Sequence, residues 1–195
     1  MRRGFKAWCE RTSREYRVSL GVPLANPLDP GRVADLLGVR VTTPEAIPGV
    51  SQESVVQLTK IDRDSWSAVT ISLNGKRLVI LNSGQSVARQ TSSLAHELAH
   101  IILNHTTDQA VLTDEGFLFR GNYDAVQEQE ANWLASCLLV PRDGLLAAGR
   151  RNADQRYLAM RFGVSREMIA WRLRMTGVSR QLKREERLRT AAGGQ

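Results

Sequence analysis

Ser93-Leu94-Ala95-His96-Glu97-Leu98-Ala99-His100-Ile101-Ile102-Leu103 sets His-Glu-x-x-His inside an apolar, helix-favouring run. On an α-helix, residues four apart differ by about 40° of rotation and about 6 Å of rise. His96 and His100 therefore turn their imidazoles the same way and can share one metal ion. Glu97 follows the first ligand and can reach a water on that ion without ligating it. Two neutral nitrogen ligands and a carboxylate base beside an activated water are what a zinc hydrolase needs. The chain has three histidines, and the third, His105, lies five residues on. His105 is expected to cap the helix end or to face solvent. The plainer reading is a buried amphipathic helix with two chance histidines, since Leu94, Leu98, Ile101 and Ile102 form a core-facing stripe. A third ligand decides between the two.

A catalytic zinc site usually takes three protein ligands and leaves the fourth position to water. An extended motif of the metzincin kind needs glycine at position 103 and histidine at 106; the chain has Leu103 and Thr106. A glutamate on a second helix is the other route. Tyr123-Asp124-Ala125-Val126-Gln127-Glu128-Gln129-Glu130-Ala131-Asn132 supplies one, running on to Cys137-Leu138-Leu139-Val140-Pro141. Glu128 and Asn132 are four apart on one face, so Glu128 can ligate zinc while Asn132 hydrogen-bonds a ligating imidazole. Glu130 is rotated by about 200° from Glu128, so only one of the two can face the metal. Glu128 is preferred because it gives Asn132 a role, and Glu130 stays as the alternative. Tyr123, just before this helix, is a candidate to hydrogen-bond the oxyanion of a tetrahedral intermediate, or simply a tyrosine packed at a helix start.

With these blocks assembled, the chain resembles the ImmA/IrrE metallopeptidases. Leu94-Ala95-His96-Glu97-Leu98-Ala99-His100, then Glu128-Gln129-Glu130-Ala131-Asn132-Trp133-Leu134-Ala135, then Leu138-Leu139-Val140-Pro141 follow in the order of that family. The lead-in from Asp29 to Val39, the segment Val79-Ile80-Leu81-Asn82 and Arg89 before the metal helix are similar to it as well. The resemblance implies a zinc-dependent endopeptidase that cleaves a helix-turn-helix transcriptional repressor and so derepresses stress-response or mobile-element genes. It also implies an edge strand beside the site that binds extended substrate by strand addition. The mechanism expected is that Zn²⁺, held by His96, His100 and Glu128, activates water while Glu97 takes its proton.

Composition is that of an ordinary globular protein of 195 residues, with 42% hydrophobic and 24% charged residues. No apolar run approaches 18 residues, so no membrane span is expected. No signal region follows the basic Met1-Arg2-Arg3, because Lys6, Glu10 and Arg11 interrupt it. Cys9 and Cys137 form no disulfide framework and read as packing residues in a cytoplasmic protein. The net charge of +7 is concentrated late: thirteen Lys/Arg stand against five Asp/Glu from Arg142 to Arg189. Such a surface suits nucleic acid or an acidic protein, or is a solvated helical face.

In chain order, residues 4–20 read as a helix with Phe5, Trp8, Cys9, Thr12 and Tyr16 on one stripe. Asp29 caps a short helix that ends at Gly38, and a short strand over 39–41 follows. Alternation over 66–73, the Asn74-Gly75 turn signal and residues 76–82 predict an antiparallel hairpin. That hairpin leads into the metal helix, roughly Val87 to Leu103. Residues 104–122 are either a loop over the cleft or a buried connection. Tyr157 to Leu173 reads as helix, Gly163 turn, Ser165 cap, helix, the spacing of a helix-turn-helix, with Arg166, Arg172 and Arg174 able to meet phosphates.

The expected fold is α+β: a zincin-like helical bundle packed on a small antiparallel sheet, with a C-terminal helical extension. The expected organisation is a peptidase domain over 1–150, a helix-turn-helix-like extension over 151–180 and a flexible tail over 181–195. The competing functional reading is a DNA-binding or repressor-binding regulator with zinc in a non-catalytic role. A closed fourth zinc ligand would favour it, and the chain offers no clear one.

Overall fold

The computed structural model describes residues 1–73, 75–105, 109–113, 116–120 and 124–192. It is an α+β structure in which two central helices, α4 (Val87–Leu103) and α5 (Ala125–Leu139), pack against each other. Helix α1 (Phe5–Ser19) lies on α5 and buries Phe5 and Cys9 in the core. Helix α2 (Pro30–Leu36) starts where Asp29 accepts from the Gly31 amide at 2.8 Å, with Pro30 in the first turn where no amide is needed. It packs on α4 through the core.

The sheet holds β1 (Val39–Thr42), β2 (Ala68–Leu73) and β3 (Lys76–Leu81) in the order β1-β3-β2. β2 and β3 form the expected antiparallel hairpin, Thr70 opposite Val79, with Gly75 at φ 75° in the turn. β1 joins the other side of β3 in parallel, so the sheet is mixed. A short helix α3 (Gln52–Val56) lies in the connection from β1 to β2, which carries the chain past β3's position to the far side of the sheet. β2 is left as an edge strand beside α4.

The junction between sheet and metal helix is built by buried Asn82. Its amide donates to the carbonyls of Arg63 (2.9 Å) and Trp66 (3.1 Å), and its oxygen accepts from the Gly84 amide (3.0 Å). Two residues on, Ser86 caps α4 by accepting from Arg89 N. A Cβ on Gly84 would lie 1.9 Å from the Thr59 carbonyl oxygen, so only glycine fits.

The last turn of α5 is buried all round, and its carbonyls need partners. Three side chains supply them: Ser13 to Cys137 O (2.6 Å), Arg17 to Leu138 O (2.7 Å) and Arg172 to Val140 O (2.9 Å). Both arginines are fully buried. Burial pulls the Arg17 guanidinium down to about 10, against the opposing pull of Glu10 and Asp143, so it stays charged at neutral pH. Arg172 also meets Glu10 at 2.6 Å. Arg172 therefore cannot serve as a phosphate contact, contrary to the sequence reading; Arg166 and Arg174 remain exposed. Cys9 and Cys137 are buried free thiols in this same core, and burial pushes the Cys137 thiol up.

Pro141 opens α6 (Arg142–Gly149), followed by α7 (Gln155–Phe162) and α8 (Arg166–Thr176). The turn between α7 and α8 is the expected one: Gly163 is left-handed at φ 63° and Ser165 accepts from Met168 N. Residues 181–192, read as part of a flexible tail, lie instead in α9 (Val178–Ala192). Leu182 packs against Gly149, Arg150 pairs with Glu185 at 3.0 Å, and Val178 is buried, contacts invisible without the tertiary fold.

The stretch read as loop or buried connection contains β4 (Gln109–Thr113) and β5 (Gly116–Arg120), an antiparallel pair whose β4 approaches β2. No described helix is long and apolar enough to cross a membrane.

Candidate metal centre

α4 sets His96 and His100 one turn apart, with ring centroids 4.6 Å apart and Nε2 atoms separated by 3.0 Å. The first turn of α5 supplies Glu128. Its Oε2 lies 3.3 Å from His96 Nε2 and its Oε1 3.2 Å from His100 Nε2. Asp124 fixes that turn by accepting from the amides of Val126 and Gln127. Among the described residues these three form the one group of histidine, cysteine and acidic side chains whose donor atoms lie within 4.8 Å of each other.

The donor set fits a metal. Ligands about 2.0–2.1 Å from a tetrahedral zinc stand about 3.3–3.4 Å apart, close to the three edges seen. Two imidazole nitrogens and a carboxylate are donors that zinc accepts. His100 is held neutral, as a ligand must be: burial first, then the neighbouring His96 and His105, lower it to about 4. Glu128, rather than Glu130, is the glutamate that α5 brings to this cluster.

Glu97 lies on the same helix, one residue after His96. The hydroxyl of Thr70, on β2, donates to Glu97 Oε2 at 2.5 Å. A buried threonine on the edge strand thus fixes the carboxylate expected to act as base. Sequence reading placed Thr70 on a strand but assigned it no role. The only signal was its position on the same strand face as Ala68 and Ser72.

Two expectations are corrected. Asn132 is exposed and makes no hydrogen bond to His96 or His100; it lines a groove with Glu128, Gln129, Trp133, Trp171 and Met175. His105 neither caps the helix through its side chain nor faces solvent. Its Nδ1 lies 3.1 Å from His100 Nδ1, and its Nε2 lies 3.6 Å from Glu130 Oε2. A spacing of four residues places Asn132 on the Glu128 side of the helix, but not its amide against a ring. The left-handed residue Asn104 (φ 53°) turns the chain back and brings His105 to the site. Tyr123 lies outside the described residues.

A comparison with curated proteins finds no match. A family model, Peptidase_M78, described as the IrrE N-terminal-like domain, matches residues 35–174. That span holds both site helices, the strands β1 to β3, and α6, α7 and most of α8, the last two of which meet at the Gly163 turn. The chain belongs to the ImmA/IrrE family of metallopeptidases.

Proposed function

We propose that this protein is a zinc-dependent endopeptidase that cleaves a helix-turn-helix repressor, acting in the cytoplasm to release stress-response or mobile-element genes. The observation that carries the catalytic part is the convergence of His96, His100 and Glu128, with Glu97 held beside them by Thr70. The repressor substrate rests on family resemblance alone.

His96, His100 and Glu128 would hold the ion. Zinc bound there supplies Lewis acidity, polarising a peptide carbonyl and lowering the pKa of water toward ~7. Glu97 takes the proton of the attacking water and delivers it to the leaving amine nitrogen. Thr70 keeps that carboxylate in one orientation, so the proton transfer starts from a fixed geometry. β2 has β3 on one side only within its sheet, and its outer edge suits an extended substrate segment paired through main-chain hydrogen bonds.

The test is co-incubation of zinc-loaded protein with the repressor encoded beside it, read by intact mass, for wild type and Glu97→Gln. Metal-dependent appearance of one product pair, with wild type alone, supports the reading and gives the cleaved bond. A stable complex with no cleavage in either sample would replace it with a binding role.

A further inference from the structure

His105 follows the left-handed Asn104 that ends α4, and its amide bonds the His100 carbonyl at 3.0 Å. The turn carries its imidazole back against His100, edge to face, with centroids 5.1 Å apart. The facing atoms are the two Nδ1 nitrogens, 3.1 Å apart. On its far side, His105 Nε2 is 3.6 Å from Glu130 Oε2, and the His105 side chain is only 8% exposed.

These contacts restrict where protons sit. His100 turns Nε2 toward His96 and Glu128, the ligand side. A neutral imidazole that coordinates through Nε2 carries its proton on Nδ1. His100 Nδ1–H is then a donor, and His105 Nδ1 stands in hydrogen-bond range. To accept, His105 must hold its own proton on Nε2. The Glu130 carboxylate faces that nitrogen, close enough for its charge to favour the proton there. Every member has a role in this arrangement, and the opposite tautomer of His105 would set two N–H donors against each other.

We propose that Glu130 and His105 form a positioning relay that fixes the tautomer and ring orientation of His100, and so tunes the metal site from behind. The inference rests on reading His100 as a metal ligand. Neither relay residue touches the ion or substrate. Helix α5 then addresses both nitrogens of one imidazole, Glu128 on the metal side and Glu130 through His105. This explains how two glutamates about 200° apart on one helix both serve the site. It also takes over the role that the sequence had suggested for Asn132.

The experiment compares zinc affinity of the full chain, by competition with a chromophoric chelator, for wild type, His105→Phe, His105→Gln and Glu130→Ala. Outer partners of ligating histidines are worth about 10- to 100-fold in metal affinity. His105→Phe is expected to lose that much. His105→Gln, whose side-chain oxygen can accept from His100 and whose amide can face Glu130, is expected to stay within about threefold, because the bond is remade. Glu130→Ala should fall between them. Ring ¹⁵N spectra of the zinc-loaded wild type give a readout that packing alone would not move, and three histidines make them simple to assign. The expected result is His105 protonated on Nε2 alone, with scalar coupling between its Nδ1 and that of His100.

Zinc binding by His105→Phe equal to wild type, or a His105 protonated on Nδ1, would overturn the relay while leaving the ligand set intact. A wild type that takes up no zinc, or a His100→Ala variant that binds as tightly as wild type, would overturn the ligand assignment and the relay with it.

Discussion

Glu97 and His100 show how each side chain of the site is prepared by a neighbour. A Glu97→Gln substitution keeps the Thr70 contact and the three donors but removes the base. It should retain metal and lose about 10²–10⁴-fold in peptide cleavage, the usual worth of a positioned acid–base group; cleavage at the wild-type rate would remove Glu97 from the mechanism. Thr70→Val should leave metal content unchanged and slow turnover by about 10- to 100-fold, since a hydrogen bond to a charged group is worth about 1.5–3 kcal/mol. His100 makes a pH prediction for the metal-free protein. Its value falls from 6.5 to about 4, burial being the main cause. Between those values the unfolded chain binds a proton that the folded chain refuses, so stability drops as pH falls through that window and is flat in this term above it. Urea midpoints of chelated protein at pH 7 and pH 5 should show the lower stability at pH 5; equal midpoints would contradict the burial of His100. At this scale the sequence was most legible where spacing alone defines geometry. His96, Glu97 and His100 share a helix turn, and Glu128 followed from the need for a third donor. Thr70, His105 and Glu130 were not legible in their roles, because each reaches the site through a strand pairing or a turn that no local pattern encodes.

At the scale of elements, α5 matters because its first turn carries Glu128 while its last turn is sealed inside the core. Ser13, Arg17 and Arg172 hold that buried end. Arg172→Ala would strand the Val140 carbonyl and leave Glu10 without its partner at 2.6 Å. Breaking a buried charged pair on one side typically costs about 3–5 kcal/mol. The Glu10 carboxylate is partly exposed, so about 3 kcal/mol is expected, read as a lower urea midpoint at unchanged slope. A midpoint within experimental error of wild type would show that α8 is not tied to α1 and α5 in this way. Helix boundaries were readable in advance: Asp29 and Ser165 cap their helices, Gly163 takes the left-handed turn, and the metal helix starts at Val87. The β4–β5 pair was missed because the sequence between its two short segments, Asp114-Glu115, lacks the Asn-Gly or Asp-Gly signal that betrayed the β2–β3 turn. Buried Arg172 was read as a surface charge able to meet phosphate, which is what arginine usually is, and Arg17 had no role assigned.

For the whole molecule, the α+β architecture followed from one observation: a hairpin signal immediately before a strongly amphipathic helix, with helices on both sides in sequence. The sheet places β2 against α4, α4 presents two histidines and Glu97, and α5 crosses α4 to close the donor set. The α6–α9 helices pack onto this body through Arg172 and the Trp133–Trp171 ring pair, and Leu182 against Gly149 ties α9 to α6. The account stands or falls on His96, His100 and Glu128 holding one ion with no thiol. The most direct measurement is zinc-edge X-ray absorption on the zinc-loaded wild type, alongside His100→Ala and Glu128→Ala. The prediction is a first shell of nitrogen and oxygen at about 2.0–2.1 Å with an imidazole signature, and weakened zinc retention in both variants. A sulfur shell at about 2.3 Å, or an unchanged spectrum and zinc content in the variants, would contradict it.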